Sequence, residues 1–149
     1  LSLHVAQTLL RDGKKEFAKI MQGVADLASP TGKWPEAVHP FSGGGCMGDG
    51  EHVWAAAEWL IMVRNCFVFE EGEKLILGKG LYPEWFNKTS FGYTRTSYGN
   101  IRIEAKKTKE GIYLTWDADW NTQPEMLIDI PDHEKKKVTS KKMFVRSAR

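Results

Sequence analysis

The sequence predicts an α+β protein in which an N-terminal helical hairpin is followed by an antiparallel, β-sandwich-like region. Two observations lead to this prediction. Residues 1–71 are rich in Ala and Leu with helical periodicity, whereas the sequence from residue 72 onward has short runs of β-branched and aromatic residues separated by turn residues. We therefore divide the chain into a helical segment, 1–71, and a β region, 72–149, that ends in a basic tail.

The first two helices are expected at residues 3–10 and 14–27. Asp12-Gly13 is a common signal for the end of a helix, and Pro30 cannot continue one. Apolar residues of the second helix recur with the i, i+3, i+4, i+7 spacing of a face that is buried on one side. These residues are Phe17, Ile20, Met21, Val24 and Leu27.

The third helix, expected at residues 51–69, is apolar on nearly every side. A helix of this kind is normally surrounded by other elements, and the two preceding helices offer too little surface to cover it. The sequence leaves three ways to cover it. The β region packs on the helix, the chain associates with itself, or sequence beyond this chain provides the cover.

Short antiparallel strands are expected after the third helix. Residues 101–106 alternate between apolar and charged side chains, which is the period-two pattern of a strand with one buried face. Gly99-Asn100 and residues 109–111 are typical of hairpin turns. The expected strands cover residues 74–77, 89–98, 101–107, 112–117, 126–130 and 143–145, with a short helical turn at 82–86.

Length and charge limit the class of protein. The 149 residues correspond to one ordinary domain, and the net charge of +2 argues against a dedicated nucleic-acid binder. Positive charge is concentrated near the C-terminus, where it indicates a solvated strand and tail or, as the alternative, a phosphate-binding tail. The basic residues are Lys135, Lys136, Lys137, Lys141, Lys142, Arg146 and Arg149.

The cysteines and the apolar runs of the sequence give an expectation for the cellular location of the protein. Cys46 and Cys66 form neither a disulfide framework nor a metal-binding spacing, so two reduced thiols and a cytoplasmic location are the favoured expectation. The longest apolar stretch, 53–68, is too short and too polar to span a bilayer. The first residue is Leu1, and no signal peptide follows it, so we expect the numbering to start inside a longer gene product.

The segment between the second and third helices carries most of the residues suited to chemistry. A structureless loop is expected at residues 30–50, and loops of this length inside a compact domain tend to be functional. Acidic side chains supply general acid or base groups, and a Trp offers a flat face for a sugar ring. The candidate site residues are Trp34, Glu36, His39, Asp49, Glu51 and His52.

Three chemistries are compatible with this segment. Glycoside hydrolysis needs two carboxyl groups, and Glu36, bracketed by two prolines, is the best candidate for one of them. Metal binding has permissible ligand types but no standard spacing, and phosphate binding lacks the required motif, so no metal or cofactor is expected. The residues considered for those two alternatives are His39, Cys46, Asp49 and His52 for a metal and Gly43, Gly44 and Gly45 for a phosphate.

A purely structural role for the same residues stays open. Asp49 is placed to be the N-cap of the third helix, and Glu51 to favour the dipole of that helix. His39 and His52 are placed to form hydrogen bonds within a folded loop.

The order of motifs resembles a known family. The run Trp34-Pro35-Glu36-Ala37-Val38-His39-Pro40, a Gly-rich loop and the helix Trp54-Ala55-Ala56-Ala57-Glu58-Trp59-Leu60 are similar to the last helical hairpin of the (α/α)6-barrel, six-hairpin glycosidases of glucoamylase-like type. The segment Ser2-Leu3-His4-Val5-Ala6-Gln7, with Arg11-Asp12-Gly13, resembles the helix and turn before that hairpin. The strand-rich sequence from Leu75 resembles a β-sandwich-type appendage.

The resemblance implies that the helices are the remnant of an α/α barrel and that Glu36 is the general base of an inverting mechanism. Trp34, His39, Asp49, Glu51 and His52 would then line the site for an oligosaccharide. The Gly-rich insert at 43–50 departs from the family pattern. The partner acid would lie upstream, so the chain is expected to be a C-terminal fragment that is inactive alone.

Two other functions are compatible with the sequence. In one, the chain is a non-catalytic carbohydrate-binding or protein-interaction module whose β-region aromatics hold a glycan or a neighbouring domain. In the other, the uncovered helix 51–69 mediates self-association instead of packing against a missing upstream helical barrel. The aromatics concerned are Trp85, Tyr93, Trp116 and Trp120, for which a core position is the simpler interpretation.

Overall fold

A computed structural model describes residues 1–147 and has a mixed α+β fold, as the sequence predicts. An N-terminal helical hairpin is followed by strands that are mostly antiparallel. The described chain forms two compact units, Leu1–Val63 and a second that begins at Arg64.

Helices α1 (Ser2–Arg11) and α2 (Glu16–Asp26) form the hairpin of the first unit. Gly13 has a φ of +68°, a left-handed conformation that glycine adopts without strain, and this lets the chain turn between the helices. Each helix buries one stripe with helical spacing. The face predicted for the second helix is confirmed at Phe17 and Met21, whereas Ile20 and Val24 are half-buried and Leu27, which lies beyond the end of α2, is 47% exposed. The buried residues are Leu3, Ala6 and Leu10 from α1 and Phe17, Ala18 and Met21 from α2.

Residues 30–50 are not the structureless loop that the sequence predicts. They contain two short strands, β1 (Ala37–Val38) and β2 (Gly45–Met47), which pair in antiparallel fashion to form a small hairpin. Before it, the Ser29 hydroxyl accepts a hydrogen bond from the Lys33 amide at 3.1 Å, and this closes the turn after α2.

Helix α3 (Val53–Phe67) is shorter than the predicted 51–69, because residues 68 and 69 already belong to strand β3 (Val68–Glu71). One side of α3 is not covered. Val53 and Trp54 are 79% and 65% exposed, and Leu60 and Ile61 are 65% and 44% exposed. Together with Ala57, these residues form what we call the open stripe of α3.

The strands from residue 68 onward form two four-stranded sheets, and their bounds match most of the predicted runs. In chain order the remaining strands are β4 (Lys74–Leu77), β5 (Lys88–Thr96), β6 (Gly99–Lys107), β7 (Gly111–Trp120), β8 (Glu125–Ile128), β9 (Lys136–Lys137) and β10 (Lys142–Arg146). The predicted helical turn at 82–86 is a single 3-10 turn, Pro83–Trp85.

The larger sheet has the order β10-β7-β6-β5 and is antiparallel throughout. The smaller has the order β3-β4-β8-β9, and within it β4 and β8 run parallel. That pair is the one parallel pairing among the described strands, and the other pairings are antiparallel, as predicted. A sandwich-like packing of the two sheets remains a prediction.

The core of the second unit follows the alternation of its strands. On β6, Ile101 and Ile103 are buried whereas Arg102 is exposed, which confirms the predicted pattern. Trp116 is 8% exposed, so it has the core position that is the simpler interpretation for this residue. The other buried residues include Val68, Leu75, Leu77, Ile112, Leu114, Ile128 and Val145.

Carboxylates neutralise much of the basic C-terminal segment. Lys135 lies 2.9 Å from Asp129, and the three neighbouring contacts are between 3.4 and 3.7 Å. These contacts join Lys136 to Glu134, Lys137 to Glu125, and Lys141 to Asp117. Arg149 lies outside the described residues. Within residues 1–147, no helix combines the length and apolar character needed to cross a membrane.

Candidate functional site

The hairpin β1–β2 organises the segment that carries the candidate residues. The Glu36 amide donates to the Met47 carbonyl at 3.1 Å, and the His39 amide donates to the Gly44 carbonyl at 2.8 Å. At the tip, the Gly43 amide donates a hydrogen bond to the His39 carbonyl at 2.9 Å. The backbone on either side of Glu36 is therefore ordered by hydrogen bonds rather than left as a free loop.

Trp34 anchors the base of the hairpin. Its indole Nε1 donates to the Val24 carbonyl at 2.8 Å, and its ring lies 5.4 Å from that of Trp59. The Trp34 carbonyl also accepts a bond from the His52 amide at 2.8 Å, just before α3 begins. Trp34 is half-buried and contacts α2, the hairpin and α3. Part of its ring is therefore already packed against other residues of the chain.

Glu36 is exposed, and its carboxylate makes no hydrogen bond or ion pair within residues 1–147. The backbone of Gly48 lies in ordinary contact with that of Glu36. A Cβ added at Gly48 would come within 3.6 Å of the Glu36 amide nitrogen, and Gly48 has a φ of +74°. The hairpin thus presents an unpaired carboxylate from a fixed backbone position.

Asp49 and Glu51 are held by local contacts. The Asp49 carboxylate accepts a hydrogen bond from the Glu51 amide at 2.9 Å, and the Glu51 carboxylate forms an ion pair with Lys33. Because α3 begins at Val53, Asp49 closes a turn and is not the N-cap of the helix, which corrects that structural expectation. Asp49 and Lys33 line a shallow open cavity of about 360 Å³ whose other walls are Leu27, Ser29, Pro35, Val38 and four glycines.

The two histidines differ in their contacts. The ring Nδ1 of His39 accepts hydrogen bonds from the Phe41 amide at 3.3 Å and from the Ser42 amide at 3.2 Å, so it stabilises the hairpin tip. The half-buried His52 has no side-chain hydrogen bond within the described chain. Within residues 1–147, no group of three or more His, Cys, Asp and Glu side chains is placed to hold a metal ion.

A polar cluster between α1 and α3 was not anticipated from the sequence. The Glu58 carboxylate, only 18% exposed, accepts a hydrogen bond from the Gln7 amide at 2.7 Å and lies 3.1 Å from the His4 ring. The Trp54 indole donates to the same carboxylate at 3.4 Å. The available signals were His4 and Gln7, which recur on one face of α1, and Glu58, which interrupts the apolar sequence of α3. Only the fold shows that these residues meet.

Of the six candidate residues, the structure engages Trp34, His39, Asp49 and Glu51 in internal contacts and leaves the side chains of Glu36 and His52 available. Of the β-region aromatics, Trp116 is buried, whereas Tyr93 and Trp85 are 61% and 41% exposed. Comparison with models of protein families, with curated proteins and with solved structures finds no match to this chain.

Proposed function

We propose that this chain is the C-terminal part of a glycoside hydrolase of the six-hairpin type and that Glu36 is its general base. The observation that carries the proposal is the unpaired, exposed carboxylate of Glu36 on an ordered hairpin. A base that activates water needs a carboxylate that is free to accept a proton and is fixed in position. The Glu36 carboxylate is free to accept a proton and projects from a hydrogen-bonded backbone, whereas Glu51 is already paired with Lys33.

An inverting glycosidase needs a second carboxyl group, the acid that protonates the leaving oxygen, at about 6.5–9.5 Å from the base. Close to the hairpin in sequence, Glu51 and Asp49 are the remaining acidic side chains, and both have local partners. In this proposal the acid comes from another part of the enzyme. The chain alone therefore does not turn over sugar.

The open stripe of α3 supports the same proposal. Val53, Trp54, Leu60 and Ile61 place a continuous apolar surface in water, which a stable domain normally covers. Further helical hairpins of an α/α barrel would cover this surface and would bring their own carboxylates close to the hairpin β1–β2.

The other candidate residues have roles in the same assembled site. His39, His52 and Asp49 would contact sugar hydroxyls beside Glu36, since all four belong to the hairpin or to the segment that joins it to α3. Trp34 would support the base of the site, because part of its ring already packs against Trp59.

The test is Glu36→Gln in the longer enzyme that contains this chain. We expect kcat to fall by at least about 10²-fold with a small change in KM, because the amide binds like the carboxylate but accepts no proton. The matched control is Glu84→Gln, since Glu84 is an exposed glutamate far along the sequence in the 3-10 turn. Turnover by Glu36→Gln that stays within twofold of wild type would refute the assignment.

Self-association through the open stripe is the second candidate function, and the 79% exposure of Val53 favours it. In that case the chain forms a dimer whose interface is the stripe. Light scattering of the isolated chain, with and without Leu60→Glu, separates the two accounts. A dimer that Leu60→Glu converts to monomer supports self-association, whereas a monomer at high concentration contradicts it.

A further inference from the structure

The larger sheet presents a polar face that the proposed hydrolase site does not use. On β6, Arg102 and Glu104 point away from the core, since Ile101 and Ile103 are fully buried. On the neighbouring strand β7, the partners of Arg102 and Glu104 are Asp117 and Thr115 respectively. The register therefore places the four polar side chains side by side on one face.

Tyr93 of β5 completes this face. Its hydroxyl donates to the Asp117 carboxylate at 2.6 Å, although β5 and β7 are separated by β6. The phenol ring therefore reaches across the middle strand, held at its tip, while the residue stays 61% exposed. The same hydrogen bond raises the pKa of Tyr93 and lowers the pKa of Asp117, in agreement with a donor phenol and a charged acceptor.

A depression beside the Tyr93 ring contains both hydrogen-bond donors and acceptors. The Arg102 guanidinium lies 3.0 Å from the Glu104 carboxylate, and both retain further hydrogen-bonding positions. Together with Tyr93, Thr115 and Asp117, they line this shallow depression of about 340 Å³. The depression thus offers one aromatic face surrounded by groups of both hydrogen-bonding types.

This chemistry selects among ligand classes. The Glu104 and Asp117 carboxylates are balanced by the Arg102 guanidinium and the Lys141 ammonium group, so this face lacks the excess of positive charge that phosphates and nucleic acid need. The scarcity of apolar side chains disfavours an apolar peptide or lipid. A neutral sugar presents C–H groups on one face and hydroxyls around its edge. The C–H face can pack on the exposed phenol ring, and the hydroxyls can bond to the donors and acceptors beside it.

We propose that the depression on the outer face of β5, β6 and β7, lined by Tyr93, Arg102, Glu104, Thr115 and Asp117, is a sugar-binding surface for a neutral oligosaccharide. Tyr93 is the platform on which a sugar ring stacks. Arg102, Glu104 and Asp117 form hydrogen bonds with its hydroxyl groups. The surface is a binding site without catalysis, and its assignment does not depend on Glu36.

The experiment titrates the ¹⁵N-labelled chain with neutral hexaoses of glucose (α- and β-linked), xylose and mannose and follows amide shifts by NMR. We expect shifts confined to β5–β7 for at least one sugar. Tyr93→Ala should weaken that binding by about tenfold, which corresponds to the loss of one stacked ring. Tyr93→Phe keeps the ring and should retain most of the affinity.

The matched control is Tyr113→Ala. Tyr113 is an exposed tyrosine of β7, but its ring packs 4.7 Å from that of Phe144 and it does not line the depression. Binding should be unchanged in Tyr113→Ala and in Glu36→Gln, so failure of this proposal is distinguishable from failure of the hydrolase proposal. If Tyr93→Ala does not fold, Arg102→Ala replaces it with the same expectation. No shift with any of the sugars, or shifts that Tyr93→Ala leaves intact, would overturn the proposal.

Discussion

The indole rings of Trp34 and Trp59 lie 5.4 Å apart with their planes tilted by 38°. Trp34 comes just before the hairpin β1–β2 and Trp59 lies on α3, so this contact joins the two elements. The hydrogen bond from Trp34 to the Val24 carbonyl adds α2 to the same cluster. The position of Glu36, two residues along the chain, therefore depends on Trp34.

Trp34→Ala should lower the free energy of unfolding by about 2 kcal/mol, less than the loss of a fully buried ring because Trp34 is half-buried. Trp34→Phe keeps an aromatic contact with Trp59 but removes the indole donor, so we expect a loss of about 1 kcal/mol. Urea unfolding followed by circular dichroism measures both. The control is Phe41→Ala in the same hairpin, where a side chain 95% exposed should contribute less than about 0.5 kcal/mol. Equal losses for Phe41→Ala and Trp34→Ala would contradict the anchoring role.

Two glycine substitutions should act in opposite directions. A Cβ at Gly80 would lie 2.6 Å from the Cys66 sulfur and 2.7 Å from its Cα, so Gly80→Ala should cost about 1–3 kcal/mol of stability. Gly23 lies in α2, where an added Cβ would have no neighbouring atom within 4 Å. Gly23→Ala should therefore add about 0.5–1 kcal/mol through helix propensity. Thermal unfolding of the two variants beside the parent checks both signs. A stabilised Gly80→Ala would mean that the chain around Cys66 adjusts freely.

The two thiols should differ sharply in reactivity. Cys46 is exposed on β2, whereas burial of Cys66 raises the pKa of its thiol to about 12. Only the thiolate reacts, so at pH 8 we expect one thiol per chain to react quickly with a disulfide reagent and the second to react only after denaturation. The Cys46→Ser variant should lose the fast reaction and keep the slow one. Two equally fast thiols would contradict the burial of Cys66.

Glu70 should make stability depend on pH in the acidic range. Burial raises the pKa of its carboxyl, but hydrogen bonds from Ser97 and Arg64 and the charge of Arg64 outweigh that effect, so the pKa is lowered. Its folded pKa therefore lies below the unfolded value of about 4.3, and its contribution is present above that value and is lost as the pH falls through the folded pKa. The stability difference between wild type and Glu70→Gln should shrink on acidification from pH 7 to pH 3. Glu73→Gln, at an exposed position in the turn between β3 and β4, is the control, and a change of the same size in that variant would contradict the role of the Glu70 contacts.

Regular elements with one buried face were predictable from the sequence. Helix α2 and strand β6 lie where the spacing of apolar residues predicts them, because burial of one side imposes that spacing. The predicted end of α3 is wrong, since the apolar run continues from Phe67 through Val68 and Phe69 without a polar residue or turn to mark the change to strand. An apolar run alone does not distinguish a buried helix from a buried strand.

The hairpin β1–β2 was missed for a related reason. Strands of two and three residues in a glycine-rich segment are too short to display a period. The sequence did indicate the segment from Trp34 to His52, but not which of its side chains have partners. The Lys33–Glu51 ion pair and the bond between Asp49 and the Glu51 amide depend on how the chain folds back.

The cluster of polar side chains on the outer face of β5–β7 could not be predicted from the sequence either. Tyr93 and Asp117 are distant along the chain, and they meet only because the register of β6 against both of its neighbours brings them to one face.

The parallel pair of β4 and β8 has a consequence for the order in which the protein folds. Strands β5, β6 and β7 follow one another as a local meander and can pair as soon as they leave the ribosome. Strand β4 is synthesised before them, whereas its parallel partner β8 is synthesised after them. The pairing of Leu75 with Met126 therefore cannot form until the whole meander has been synthesised. Until then the edge of β4 that will pair with β8 is an unpaired edge of apolar sequence, and such an edge can template aggregation of the nascent chain.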